Sequence, residues 1–239
     1  MSSERGGTLF LVPNTLGAGD PETVVPVPVL ARARSLSYYI AENEKSARAF
    51  LKRIGTTRAL QDIRIGRLDH NTPASAIPEL LDPVVQGADA GLLSEAGMPA
   101  VADPGAALIR AAHERGLRVA PLSGPSSLLL ALAASGLNGQ SFAFHGYLPI
   151  EAEALSAALK DLETESRRLR RTQIFIETPY RNDRTLAAAL RALAASTLVC
   201  VATDLTLESE SVRTQSVAAW RKQLPQLHGH PTVFLLLAD

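Results

Sequence analysis

Short runs of consecutive apolar residues alternate along this chain with longer stretches whose apolar positions recur every three or four residues. Thr8–Val12, Ala90–Leu93, Ile174–Ile176, Leu198–Ala202 and Thr232–Ala238 are runs of the first kind, and Leu36–Ala41 and Leu117–Leu122 are strand candidates each interrupted by one polar residue. Such runs predict strands, and continuous ones such as Thr8–Val12 predict strands buried on both faces. Ile63–Leu68 and Ser141–His145 are further strand candidates. Between them the helical pattern covers Glu44–Ile54 with Gly55 as its C-cap, Ala74–Val85 interrupted near Pro83, Glu151–Arg171 and Arg184–Ala195. Another helix starts at Asp103, read as N-cap with Pro104 at the first helical position, and runs to Arg115. Leu128–Ala134 is apolar all round, which predicts a buried helix. Residues 13–28 carry turn chemistry at Gly17, Gly19, Pro21, Pro26 and Pro28 and read as one long loop. Glu208–Trp220 reads as a short strand and helix.

This alternation predicts an α/β protein of two α/β domains, an N-terminal doubly wound parallel sheet over residues 1–120 and a C-terminal mixed sheet over 121–239. A length of 239 residues suits two such domains. In open α/β sheets ligands bind at the carboxyl ends of strands. The loop Leu92–Gly105 (LLSEAGMPAVADPG), between a strand and a helix, is therefore expected to form one wall of a cofactor site.

Composition removes several function classes. Lys and Arg number 24 and Asp and Glu 24, so no global field attracts nucleic acid or membrane, though a local patch is compatible. Lys45, Arg48, Lys52 and Arg53 line one side of their helix, a solvated face or a polyanion patch. The single Cys200 sits in an apolar run and reads as a buried small hydrophobe. No segment reaches the ~18 consecutive apolar residues of a membrane span, and the polar start MSSERGG lacks a signal-peptide core. The expectation is a soluble cytoplasmic protein with no membrane association. There is no GxGxxG or P-loop phosphate motif, no nucleophile elbow and no metal-ligand spacing. Four carboxylates (Glu42, Glu95, Glu177, Asp204) and His70 stand at strand ends. Motif chemistry alone goes no further than two α/β domains with a ligand crevice.

The order of the loop motifs goes further. Gly7–Pro13 (GTLFLVP), Leu93–Pro99 (LSEAGMP) with Ala102–Gly105 (ADPG), Pro121–Ser127 (PLSGPSS), Gly146–Pro149 (GYLP) and Ile176–Arg181 (IETPYR) follow one another at spacings that resemble the tetrapyrrole methylase superfamily. The resemblance spans about residues 7–239. Within the superfamily the chain looks most like the branch that methylates a cytidine 2′-oxygen in small-subunit ribosomal RNA. It implies an S-adenosyl-L-methionine-dependent methyltransferase, a cofactor cleft between two α/β domains, an RNA or ribosomal-particle substrate and a homodimer. It implies cofactor contacts at Pro13, Ser94, Glu95, Ala96, Gly97 and Asp103, at Ser126 and Ser127, and at Tyr147 and Leu148. Ala202, Pro231 and Thr232 would hold the adenine through backbone groups.

Three stretches depart from that branch. Ala41-Glu42-Asn43-Glu44-Lys45 stands where it carries Ala-Glu-Asp-Thr-Arg, Thr203-Asp204-Leu205-Thr206 where it carries Arg-Glu-Leu-Thr, and Gly229-His230-Pro231 where it carries Lys-Gly-Glu. These departures fall on the substrate side. They keep open a methyltransferase acting on a tetrapyrrole or other small molecule, or a cofactor-binding relative without catalysis. For transfer to a ribose hydroxyl a general base helps. Glu42 and Glu177 are expected in that role ahead of His70.

Overall fold

A computed structural model of the protein describes residues 6–238 and divides the chain into two compact units, residues 1–126 and 127–239. The first five residues, on which part of the signal-peptide reading rests, lie outside the described residues.

Unit 1 runs β1 (Thr8–Val12), α1 (Pro21–Val24), α2 (Val27–Ser35), β2 (Tyr38–Ala41), α3 (Glu44–Ile54), β3 (Arg64–Arg67), α4 (Asp82–Val85), β4 (Ala90–Leu93), α5 (Gly105–Glu114) and β5 (Arg118–Pro121). The five strands form one parallel sheet in the order β3-β2-β4-β1-β5. Alternate residues of each strand feed two cores. Phe10, Val12, Tyr39, Ala41 and Leu93 pack with Leu30 of α2 and Phe50 and Leu51 of α3. Leu9, Ile40 and Leu92 pack on the opposite face with Leu108 and Ala112 of α5. Both faces are covered at the central strands, which is why β1, β2 and β4 read as apolar runs while the edge strands β3 and β5 carry exposed arginines.

Unit 2 runs α6 (Ser127–Ser135), β6 (Phe142–Tyr147), α7 (Ala152–Leu169), β7 (Thr172–Ile176), α8 (Asn182–Ala192), β8 (Leu198–Thr203), β9 (Ser211–Ser216), α9 (Val217–Trp220) and β10 (Thr232–Leu237). Its sheet is mixed, in the order β6-β7-β10-β8-β9, with β6 parallel to β7 and the remaining pairs antiparallel. Its core joins Leu155, Leu159 and Leu162 of α7 and Leu186 and Leu190 of α8 to Phe175, Val201, Trp220 and Phe234. Phe175 and Phe234 stack at 5.3 Å between ring centroids.

The structure corrects the sequence reading in places. The long loop over 13–28 contains α1 and the start of α2, where prolines occupy first-turn positions and cost the helix nothing. The helix over 74–85 is a 3₁₀ turn, Pro78–Leu81, followed by four α-helical residues. Helix α5 starts at Gly105, one residue later than a cap at Asp103 requires; the carboxylate still caps the turn, accepting from the amides of Ala100 (2.7 Å) and Gly105 (3.0 Å). Helix α6 is not wholly buried: Leu129 and Leu130 are exposed, while Ala131 and Leu132 are buried.

Candidate functional site

Because the unit 1 sheet is parallel, every loop that leaves the carboxyl end of a strand emerges at the same edge. The chain leaves β2 toward β3, on one side of it in the strand order, and leaves β4 toward β5, on the other. The neighbours β2 and β4 therefore frame a topological switch point, where the diverging connections open a crevice. Glu42 follows β2 there, Ser94–Gly97 follow β4, and Pro13–Thr15 follow β1 on the other side of β4.

Asn14 ties the loops after β1 and β4 together. Its buried side-chain amide donates to the carbonyls of Ser94 (3.1 Å) and Glu95 (3.0 Å), and its backbone N–H donates to the Gly97 carbonyl (2.9 Å). Its Oδ1 accepts from the Thr15 amide at 2.8 Å. Ser94 Oγ closes the turn onto the carbonyls of Ala96 (3.1 Å) and Gly97 (3.3 Å). The loop's carbonyls are thus held inward. The amides of Glu95, Ala96 and Gly97 have no hydrogen-bond partner among the described residues. Unpartnered amides gathered at a switch point form a ready donor set for a polar ligand.

The loop must be glycine at its pivot. Gly97 has φ +66°, and a Cβ there would lie 3.1 Å from Leu16 Cδ2 and 3.3 Å from the Pro125 carbonyl oxygen. Ala100 and Ala102 also lie in the left-handed region, at φ 65° and 62°. Left-handed non-glycine residues cost of order 1 kcal/mol or more each and cluster at functional loops. Pro13 is buried against Gly124, where an added Cβ would fall 2.2 Å from the proline Cβ.

Carboxylates collect at the same edge. Glu42, at the end of β2, has its pKa raised, first by burial and then by the charges of Glu95 and Asp103, with His70 opposing. Asp103 is raised by burial, against the amides of Gly105 and Ala100 that hydrogen-bond to it. His70 sits exposed in a turn organised by Asp69, which accepts from the Asn71 amide (2.9 Å) and the Thr72 hydroxyl (3.1 Å). Beside the loop, a recess of about 260 Å³ is lined by Asn14, Thr15, Ser46, Arg53, Glu95 and Ala96. Ser46 Oγ donates to the Glu95 carboxylate within it. Of the residues expected from the sequence, unit 1 therefore brings together Pro13, Glu42, His70, Ser94, Glu95, Ala96, Gly97 and Asp103.

Unit 2 treats its expected residues differently. Glu177 is buried and fully engaged. Its Oε1 accepts from the Thr178 amide (2.6 Å) and from Arg181 Nε (2.9 Å) and Nη2 (2.6 Å). Burial raises its pKa, but these hydrogen bonds and the Arg181 charge outweigh burial and leave it below the ordinary carboxylate value. That environment opposes a general-base role and fits a clamp at the start of α8. Leu148 belongs to the core, whereas Tyr147 is 57% exposed. Ala202 pairs with Val233 on one side and Val212 on the other, near the carboxyl end of β8. The Pro231 carbonyl accepts from the Asp204 amide (2.9 Å). Thr232 begins β10 and is buried. Ser126 ends unit 1 and Ser127 begins α6, both half-buried.

One pair went unnoticed in the sequence. The buried Asp204 carboxylate meets His230 Nδ1 at 2.7 Å and accepts from Ser209 Oγ at 2.8 Å. Asp204 has φ +51°. The only signal was that both positions lie in stretches that depart from the resembled branch; 26 residues separate them, and β10 alone brings them together.

Comparison with known proteins places this geometry. The family model for tetrapyrrole (corrin/porphyrin) methylases matches residues 12–219. The chain is 32% identical to a ribosomal RNA small subunit methyltransferase I of Escherichia coli O157:H7, over 91% of this chain and 73% of that protein. It is 32% identical to proteins of the same name from Mesorhizobium japonicum, over 88% and 68%, and Vibrio cholerae, over 88% and 69%. Among solved structures, the methyltransferase CobJ aligns with a TM-score of 0.63 at 18% identity, covering 98% of this chain and 95% of that one. The cobalt precorrin-4 methyltransferase CbiF aligns at 0.58 and 14%, covering 96% and 94%. At those identities the structural likeness establishes the fold.

Proposed function

Since the chain belongs to the tetrapyrrole methylase family, whose methyltransferases use S-adenosylmethionine, we propose that it methylates a ribose 2′-hydroxyl of small-subunit ribosomal RNA. The observation that carries the cofactor half is the loop after β4. Three unpartnered amides, a glycine pivot and inward-held carbonyls sit at the switch point of the unit 1 sheet. That donor set fits the polar ends of S-adenosylmethionine, and the contacts the resemblance implies at Ser127, Tyr147 and Thr232 belong to the same proposal. The RNA half is supported by relatives that cover most of this chain under the name ribosomal RNA small subunit methyltransferase I.

When bound, the cofactor supplies an activated methyl group on a sulfonium. The chain's own part is to orient, exclude water and manage one proton. Glu42 is the residue we assign to that proton. It stands at the edge that carries the loop, and its raised pKa makes it a stronger proton acceptor than an ordinary carboxylate. Glu177, clamped and acidified, is a positioning residue for Arg181 and α8. A cytoplasmic location agrees with that substrate, and no helix among the described residues is long and apolar enough to cross a membrane. We further propose a homodimer, supported by the exposed apolar side chains Leu129, Leu130 and Phe142.

Labelled methyl transfer to small ribosomal subunits tests the proposal. The expected product is an alkali-resistant dinucleotide, because a 2′-O-methyl group removes the internal nucleophile of RNA hydrolysis. Transfer to tetrapyrroles or other small molecules alone, or no transfer by protein that binds S-adenosylhomocysteine, would overturn the RNA assignment. No binding of S-adenosylhomocysteine by folded protein would overturn the cofactor half.

A further inference from the structure

Helices α7 and α8 lie side by side on the unit 2 sheet, with their leucines turned into the core. Between their outer faces runs a groove of about 530 Å³. It is open because small residues line it: Ala157 on α7 and Ala188 and Ala192 on α8 cannot fill the space between the helices. Its rim carries Lys160, Arg184 and Arg191 against one carboxylate, Glu153.

These cations are not accounted for by the fold. None of the three makes a salt bridge among the described residues. Arg184 occupies the first turn of α8, where the helix macrodipole disfavours a positive charge. One of its guanidinium nitrogens donates to the Ile150 carbonyl (2.8 Å), which fixes the group beside the groove. Arg184 and Arg191 are seven residues apart, two helical turns or about 10.5 Å along the axis, so they form a row. Lys160 faces that row from α7.

The direction of the groove matters as much as its charge. Helix α7 follows the carboxyl end of β6 and α8 follows that of β7, two parallel strands. Both helices therefore begin at the sheet edge that carries Tyr147, Glu177, Asp204 and Thr232, and the groove leads away from that edge.

We propose that this groove holds the phosphodiester backbone of the RNA substrate, with Lys160, Arg184 and Arg191 neutralising phosphates. This rests on the RNA reading above and adds the surface that engages the strand. Alanine-lined walls let a backbone approach closely, and two arginines two turns apart with a lysine facing them from the other helix match a repeating anion better than a single compact ligand. The contacts are independent of sequence, so they set affinity and register and leave base choice to other residues.

The triple variant K160Q/R184Q/R191Q tests this, with RNA binding measured by filter retention across a salt series. Each lost phosphate contact removes about 0.7–0.9 from the slope of log affinity against log salt. The slope should therefore shallow by about 2–3, and affinity near 0.15 M salt should fall on the order of tenfold to a hundredfold. The KM for ribosomal subunits should rise while kcat at saturating RNA and the melting temperature stay put. The charge-conserving K160R/R184K/R191K should keep the wild-type slope. An unchanged slope and affinity in the triple Gln variant, beside a wild type that binds RNA, would overturn the groove assignment and leave the function standing. Loss of self-association in the variant with RNA affinity intact would likewise overturn it, making the groove a subunit contact. A wild type that binds no RNA at any salt would overturn the function reading itself.

Discussion

Replacing Asn14 isolates the device that holds the loop after β4 to the end of β1. Asn14→Ala removes two donated hydrogen bonds, to Ser94 (3.1 Å) and Glu95 (3.0 Å), and one accepted from Thr15 (2.8 Å). The backbone bond from residue 14 to the Gly97 carbonyl survives any side chain. At about 1 kcal/mol net per hydrogen bond the loss is about 3 kcal/mol, reduced to about 2 because the loop edge at exposed Glu95 lets water reach the freed carbonyls. Asn14→Asp makes a sharper comparison. One carboxylate oxygen can still accept from Thr15, but the other now faces two carbonyl oxygens. At pH 7 the Asp variant should therefore be less stable than the Ala variant. It should recover on acidification, when the protonated carboxyl can donate to one of those carbonyls. Urea unfolding followed by circular dichroism measures stability, and calorimetry with S-adenosylhomocysteine measures the loop. A loosened loop should bind at least tenfold more weakly, equivalent to about 1.4 kcal/mol. If Asn14→Ala changes stability by less than about 0.5 kcal/mol and leaves ligand affinity intact, or if Asn14→Asp behaves as wild type, the anchoring role assigned to Asn14 is wrong.

Gly97→Val should cost about 1–3 kcal/mol from its left-handed backbone and crowding against Leu16 and the Pro125 carbonyl, and should weaken S-adenosylhomocysteine binding in the same calorimetric assay. Glu42 has a raised folded pKa, so its contribution to stability is present below the ordinary carboxylate value and lost as pH rises through the folded one. Glu42→Gln should therefore be at least as stable as wild type at pH 7 by urea titration, while methyl transfer falls and loses the acid limb of its pH–rate profile. Glu177 behaves oppositely: its lowered folded pKa makes its contribution present above the ordinary value and lost as pH falls through the folded one. Glu177→Gln should be less stable than wild type at pH 7 by about 1–2 kcal/mol, since Arg181 keeps partial solvent access, and the gap should close in acid.

The sequence by itself determined the elements and their class. Thr8–Val12 and Ala90–Leu93 are strands as their apolar runs dictate, because burial on both faces leaves no room for polar alternation. Helix α3 starts and stops where Asn43 and Gly55 place it, since capping is local chemistry. The family was legible too, because its loops follow one another in a fixed order along the chain.

Local signals failed where a distant residue decided. Asp103 reads as an N-cap, yet the left-handed Ala100 and Ala102 turn the loop so that its carboxylate closes the turn one residue earlier. Glu42 and Glu177 look alike as carboxylates at strand ends. Only the fold buries the first beside Glu95 and Asp103 and sets Arg181 against burial on the second, driving their pKa values apart. The anchoring by Asn14 spans 80 residues to Ser94, the Asp204–His230 pair spans 26, and the alanine-lined groove needs two helices packed side by side. Spacing along a chain fixes which neighbours a residue has within a helix or strand. Parallel strand order and helix packing fix the rest, and those depend on which buried faces meet.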